Sequence, residues 1–357
     1  MGLFAKSPSF GIDIGHHAIK VVQAERIGNQ WKVVRFGEVP TPPDALRDGV
    51  VVDQDGIGFA IKQLLRDTGI HGTNCSVAVS GGSVVVRNIR IPKMSEQTLR
   101  KSIKFEASRY VPNSVEDSFI EFEILGDADE AQMDVLVVAA PRELVTSRIR
   151  TCESIGLEVE AVDIEAFASY RSLIEFNQDR DYGDSTVALV DIGASTTNMS
   201  VIQKNTFVMS RSISNGGQVL SDALKNYFKL SDADAESGKA QLDVTDLLEE
   251  VPHENPPLRV VQPHLDDLIR EVRRSLNYFQ SQQGDTDNRQ VNSILLTGGG
   301  ARLQGIAKYL EAKLGIPTFT LGLMENPNYQ ELPMSPDQAL DFSVATGLAM
   351  RSHVKAA

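Results

Sequence analysis

The sequence predicts an α/β protein built as two similar lobes facing each other across a cleft, and three stretches of the chain predict it. The first is Val187-Ala-Leu-Val-Asp-Ile-Gly-Ala-Ser-Thr-Thr-Asn-Met-Ser-Val-Ile202, two apolar β-branched runs flanking a polar, hydroxyl-rich turn. The second is Phe10-Gly-Ile-Asp-Ile-Gly-His-His-Ala-Ile-Lys-Val-Val22, with the same order of strand, Asp-X-Gly, polar tip and strand. The third is Val291-Asn-Ser-Ile-Leu-Leu-Thr-Gly-Gly-Gly-Ala-Arg-Leu-Gln-Gly305, a strand running into a glycine-rich loop. Each of the first two reads as a hairpin whose tip is rich in backbone N–H donors. Two copies near the starts of the two halves of a 357-residue chain imply duplication, and the length exceeds one core.

Taken in order, Phe10–Ile14, Ile19–Ala24 and Trp31–Gly37 alternate as three strands. Ile57, Ala60, Ile61, Leu64 and Leu65 then recur at helical spacing, and Cys75–Val79 is a buried-type strand entering Ser80-Gly-Gly82. Gly15 permits the first tight turn, with His16 and His17 at its tip. Adjacent histidines point opposite ways and make a poor metal pair, so their backbone amides are the expected contacts, with exposed rings. Lys20, just past the tip, is either a phosphate ligand or a solvated strand lysine.

Residues 84–160 read as an inserted subdomain: a strand at Val84–Ile91, a helix near Glu96–Tyr110, a strand pair at Phe119–Leu125 and Met133–Ala140, a helix at Arg142–Ser154 and a strand at Leu157–Val162. A connecting helix over 163–176 carries Glu165 near its start, where a carboxylate also suits the helix dipole. Asp179–Asp184 is a charged linker into the central hairpin. There Gly193 and Ala194 allow consecutive amides to converge on an anion, while Ser195, Thr196 and Thr197 add hydroxyl donors. Asp191 would hold a metal ion through its water shell, and Asp13 is its counterpart in the first copy.

Thr206–Ile213 is the third strand of the second lobe, and Gly216 and Gly217 open a helix over Gln218–Phe228, an N-terminus suited to close approach of a ligand. Glu236 and Lys239 lie three apart on a polar helix, the spacing of a surface ion pair. Glu249–Pro263, with four prolines, reads as an exposed loop. Leu265, Leu268, Ile269, Val272, Leu276 and Phe279 mark the core face of a long amphipathic helix, and Gly284–Arg289 is a polar turn. Gly298, Gly299 and Gly300 let backbone pass a flat base on which Arg302 would stack. A helix at Leu303–Leu314, a strand at Thr318–Leu321, a proline-rich loop over 325–336 and a helix at Phe342–Met350 complete the chain. Ala345 and Ala349 in the last helix would permit a close crossing.

These three motifs, in this order, resemble the paired phosphate loops and the adenosine loop of actin-like ATPases, whose lobes are ribonuclease-H-like. The resemblance implies an actin-like fold, with a first lobe of 8–83 and 161–182 to which helix 339–352 returns, and an FtsA-type insertion at 84–160. It implies a second lobe of 183–213 and 290–338 carrying a helical subdomain of 214–289. It also implies ATP and Mg in the cleft, a water-orienting role for Glu165 and an acidic-basic pair, Glu236 and Lys239, bracketing ribose and adenine. His16 and His17 depart from the small hydroxyl residues of relatives. The run Ile103-Lys-Phe-Glu-Ala-Ser-Arg-Tyr-Val-Pro112 narrows the resemblance to PilM, the actin-like family of type IV pilus assembly. That implies a cytoplasmic scaffold, held at the inner membrane by the N-terminal cytoplasmic peptide of a PilN-like protein and working with pilus platform and motor proteins, with self-association and slow ATP hydrolysis open. A small-molecule kinase and an FtsA-like filament former are the alternatives.

Composition sets limits on these readings. Lys plus Arg is 35 against 48 Asp plus Glu, a formal charge of −13, which disfavours nonspecific binding to nucleic acid or anionic lipid. No apolar run reaches the roughly 18–20 residues that span a bilayer, so direct membrane insertion is not expected. Cys75 and Cys152 sit in unrelated contexts and are expected as reduced, packed thiols.

Overall fold

The computed structural model describes residues 9–111, 114–177, 182–183, 185–249, 255–281 and 290–353. Two sheets repeat one plan. In the first the order is Glu158–Ile164, Asn74–Val79, Phe10–Ile14, Ala18–Ile27, Gln30–Pro40. In the second it is Thr318–Thr320, Ser293–Thr297, Thr186–Ile192, Thr197–Gln203, Thr206–Ile213. In each, the strand entering the hairpin pairs antiparallel with its successor and parallel with the strand on its other side. A strand flanked on both sides is buried on both faces, which is why Phe10–Ile14 and Thr186–Ile192 are buried at every position.

The second sheet does not stop at five strands. Val85–Pro92 adds to the edge of Thr206–Ile213 through Met209 opposite Arg87 and Ser210 opposite Val86, and Gln132–Pro141 and Ser118–Asp127 follow, making eight. The insertion therefore leaves the first lobe in sequence and joins the second in space. Its own core gathers Ile89, Ile91, Leu99, Ile103 and Val135 beneath the helix Glu96–Ala107, which Ser95 caps. The expected boundary at residue 160 is too late. Helix Arg142–Ser154 packs its Cys152 into the first lobe's core, and Glu158–Ile164 is an edge strand of the first sheet. Cys75 and Cys152 are both free and buried in that core, as expected.

Other expectations shift for local reasons. The loop expected over 249–263 is helical from Pro256, because Pro256 and Pro257 occupy the first turn, where the missing N–H has no helical acceptor. Pro263 does sit inside that helix, on its exposed side, while the predicted stripe from Leu265 to Phe279 is buried. Asp163 and Ile164 complete a strand, so the connecting helix begins at Glu165 and runs through a π-helical turn at Arg171–Glu175. The helix expected from Leu303 starts at Ile306, and the 325–336 loop ends as a capped helix, Pro336–Asp341. Pro112, most of the Asp179–Asp184 linker, residues 250–254 and the Gly284–Arg289 turn lie outside the described residues.

The helix Glu165–Tyr170 crosses the helix Ser343–Ala349 at the base of the cleft. Small residues permit the crossing as expected, but the tightest approach is at Gly347, where a Cβ would overlap the carbonyl of Ala168. Gly11 does the same for the first sheet, since a Cβ there would overlap the carbonyl of Ala345. Arg171 ties the crossing together, donating to Gly347 O at 3.0 Å and pairing with buried Asp163 at 2.8 Å.

Candidate functional site

The two hairpins turn identically. Gly15 N donates to Ala18 O at 3.1 Å, and Gly193 N donates to Thr196 O at 2.9 Å. A side chain at either glycine would crowd that same carbonyl at 2.9 Å. Both tips open onto one cavity of about 420 Å³ lined by residues of both lobes. Asp13, Gly15, His16, His17 and Lys20 line it from the first lobe. Asp191, Gly193, Ala194, Ser195 and Thr196 line it from the second. Gly298, Gly299 and Glu165 complete the expected set that the fold brings together.

Asp13 and Asp191 are 8% and 9% exposed. Burial pushes each carboxyl up to about 6; for Asp13 the charge of Glu165 adds to this against the opposing pull of Lys20. Ser169 donates to Asp191 at 2.8 Å and offsets part of its shift. Lys20 stands opposite Asp13 in the strand register, and its charge is felt by Asp13, Asp191 and Asp341 alike. It is thus a cation set among three carboxylates. Glu165, on the first turn of its helix, accepts from Asn198 at 2.9 Å and from Ser80. Burial again raises its pKa, partly offset by Ser80 and by the Arg148 guanidinium.

The remaining expected residues stand outside this cavity. Thr197 is fully buried and donates to Asn215 O at 2.7 Å, so its hydroxyl braces the loop. Gly216 packs against the carbonyls of Gly193 and Ala194. The Gly217 and Gln218 amides donate to those two carbonyls at 2.9 Å. The first amides of this helix thus hold the hairpin. Glu236 and Lys239 pair at 2.8 Å beside this turn, with Lys239 also donating to Gly217 O and Ser221 donating to Glu236. Burial raises the Glu236 pKa, but the Lys239 and Ser221 hydrogen bonds outweigh it and hold the carboxyl low. Gly300 lies against Ile192. Arg302 is ion-paired with Asp341 at 2.9 Å, so in this conformation its guanidinium is engaged by a carboxylate.

Four residues of the cavity carried no signal in the sequence: Arg148, Asn198, Asp341 and Asp48. Arg148 reaches in from helix Arg142–Ser154, 2% exposed, donating to Ile14 O at 2.8 Å and to Gly49 O at 3.0 Å. These partners lie 134 and 99 residues away, a separation no local pattern encodes. The His16 ring is exposed, as expected, and it also makes a contact the sequence did not suggest: Nδ1 lies 2.7 Å from Ser195 Oγ across the cleft.

Among the described residues no group of three or more His, Cys, Asp or Glu side chains could hold a metal ion directly. Two buried carboxylates opposite each other, each under-solvated for its charge, instead fit a hydrated divalent cation carried in with phosphates. The glycine turns and Lys20 fit the phosphates themselves.

Comparison with known proteins adds independent information. A family model described as type IV pilus assembly protein PilM matches residues 11–353. A solved PilM-PilN type IV pilus biogenesis complex is similar in structure, with a TM-score of 0.83, 26% identity, and 98% of this chain and 99% of that chain covered. Cell division protein FtsA of Streptococcus pneumoniae is 22% identical over 343 residues, 86% of this chain and 73% of the relative. MreB5 of Spiroplasma citri bound to AMPPNP shares the fold at a TM-score of 0.52 and 13% identity, over 96% of this chain and 95% of that one.

Proposed function

The chain belongs to the PilM family of type IV pilus assembly proteins and has the actin-like fold, and on that footing we propose that it is a nucleotide-holding scaffold of the pilus inner-membrane assembly platform. Mg-ATP would sit between the two hairpins, and the insertion would take the N-terminal cytoplasmic peptide of a PilN-like membrane protein. The observation that carries the nucleotide half is the pair Asp13 and Asp191, at equivalent positions of two duplicated hairpins and facing one cavity.

The turns that Gly15 and Gly193 permit would offer the backbone amides of His16, His17, Ala194 and Ser195 to the phosphates, and Asp13 and Asp191 would hold the water shell of Mg, which neutralises phosphate charge when bound. Glu165, held by Asn198 and Ser80, would orient a water. Its part-buried carboxyl and the mutual contact of the hairpin tips suit a slow ATPase used as a conformational device.

The peptide half is supported by the insertion's surface. Phe105, Phe119 and Ile124 are 66%, 40% and 38% exposed, with Arg109 over the Phe105 ring and Arg142 over the Phe119 ring. Exposed apolar rings, each beneath an arginine, offer contacts of the kind an amphipathic segment docks on. Among the described residues no helix is long and apolar enough to cross a membrane, so a cytoplasmic protein held at the membrane through that peptide is the corresponding localisation.

Calorimetry with the partner's N-terminal peptide, with and without Mg-ATP, tests both halves. Binding in at least one nucleotide state is expected, with reciprocal coupling of the two ligands; absence of peptide binding in both states would defeat the scaffold reading. The likeness to FtsA supports a second reading, a filament former, which sedimentation with Mg-ATP would reveal.

A further inference from the structure

The Ser195–His16 contact has the form of an activated nucleophile. The two residues lie 179 positions apart and on different lobes, yet Oγ and Nδ1 are 2.7 Å apart at the mouth of the cavity that both line. A hydroxyl within hydrogen-bond reach of an imidazole is the arrangement by which serine is made nucleophilic. The other hydroxyl with a defined partner at this tip, Thr197, is turned away onto Asn215 O. We propose that Ser195 is a phosphoryl acceptor and His16 its general base, so that the cleft transfers the terminal phosphoryl group of a nucleoside triphosphate onto its own second hairpin.

This inference rests on the nucleotide reading above. In the step, Ser195 Oγ attacks the terminal phosphorus and its proton passes to His16 Nδ1. The new Oγ–P bond forms as the bond from phosphorus to the bridging oxygen breaks, and the diphosphate leaves with that electron pair. His16 is suited to accept the proton by its 2.7 Å contact with Ser195 Oγ, and partial desolvation, reinforced by the nearby Arg148 charge and partly opposed by Asp48, lowers its pKa. The product carries about −1.5 to −2 charge in a cavity that already holds Asp13, Asp191, Glu165 and Asp341. Like-charge repulsion would then separate the tips and discourage a second nucleotide, making the modification a self-limiting switch.

The full chain incubated with Mg-ATP, digested and mapped by tandem mass spectrometry, tests it, with ATP binding followed by calorimetry on the same preparations. A single phosphate on Ser195 is expected, absent from Ser195→Ala. His16→Gln is expected to slow labelling, per bound nucleotide, by about 100-fold or more. Independently of nucleotide, the ¹⁵N shifts of the His16 ring should show an accepting Nδ1 that changes in Ser195→Ala. ATP bound without phosphoserine would overturn the inference and leave the nucleotide reading standing, whereas no ATP binding would overturn both. Phosphate on Thr196, or an unaltered rate in His16→Gln, would overturn the assignment of acceptor or base.

Discussion

Asp13 and Asp191 each titrate near pH 6 in the fold, against an ordinary value near 4. Between those values the folded chain binds more protons than the unfolded one, so these groups make stability fall as pH rises through about 4 to 6. At neutral pH both carboxylates are charged and under-solvated, and the penalty is fully present. Asp191→Asn should therefore raise the melting temperature of the nucleotide-free protein at pH 7.5, by an amount equivalent to about 1–3 kcal/mol. The same substitution should weaken Mg-ATP binding at least tenfold in calorimetry, and wild-type affinity should drop as pH falls below 6. A lower melting temperature, or unchanged affinity, would remove Asp191 from the role given to it. Both aspartates were legible in the sequence because each ends a strand two residues before its turn glycine. Arg148, Asp48 and Asp341 were not, because only the tertiary fold carries them to the cleft.

At the scale of elements, the two crossing helices are set by glycine rather than by the alanines that helical spacing points to. Ala345 is in place, yet Gly347 is the position where any side chain meets backbone. Gly347→Ala should cost about 2–4 kcal/mol in urea unfolding, as overpacking against an immobile carbonyl does. Gly28→Ala, at φ 63 with open space around it, should cost only about 1 kcal/mol. Equal losses would mean that the crossing has room for a side chain at Gly347. The prolines teach the same lesson in reverse. Four of them between 249 and 263 read as a loop, but Pro256 and Pro257 stand in the first turn, where no amide is needed, and the helix carries Pro263 on its exposed side. Alternating strands and amphipathic stripes were legible because period alone defines them; helix starts were not, because caps and edges decide them.

For the molecule as a whole, the duplicated sheets and the returning helix were visible in motif order, but the attachment of the insertion was not. Nothing in the residues of Val85–Pro92 specifies pairing with the opposite lobe; that depends on Thr206–Ile213 leaving its outer edge free. The helix crossing is braced by Arg171, 7% exposed, with Asp163 at 2.8 Å and Arg351 at 3.7 Å from the same carboxylate. Arg171→Met should destabilise the protein by about 3–5 kcal/mol in urea unfolding, because it strips the main counter-charge from a buried carboxylate. A loss below 1 kcal/mol would show that Arg351 suffices alone.

The path of the chain from one sheet to the other also sets how far they can part. Val79 ends a strand of the first and Val85 begins one joined to the second, with only Ser80-Gly-Gly-Ser-Val84 between. Fully drawn out, that leash reaches about 20 Å. The jaws can gape no wider along this side without unzipping the Arg87–Met209 seam, so any wider opening has to come on the opposite flank.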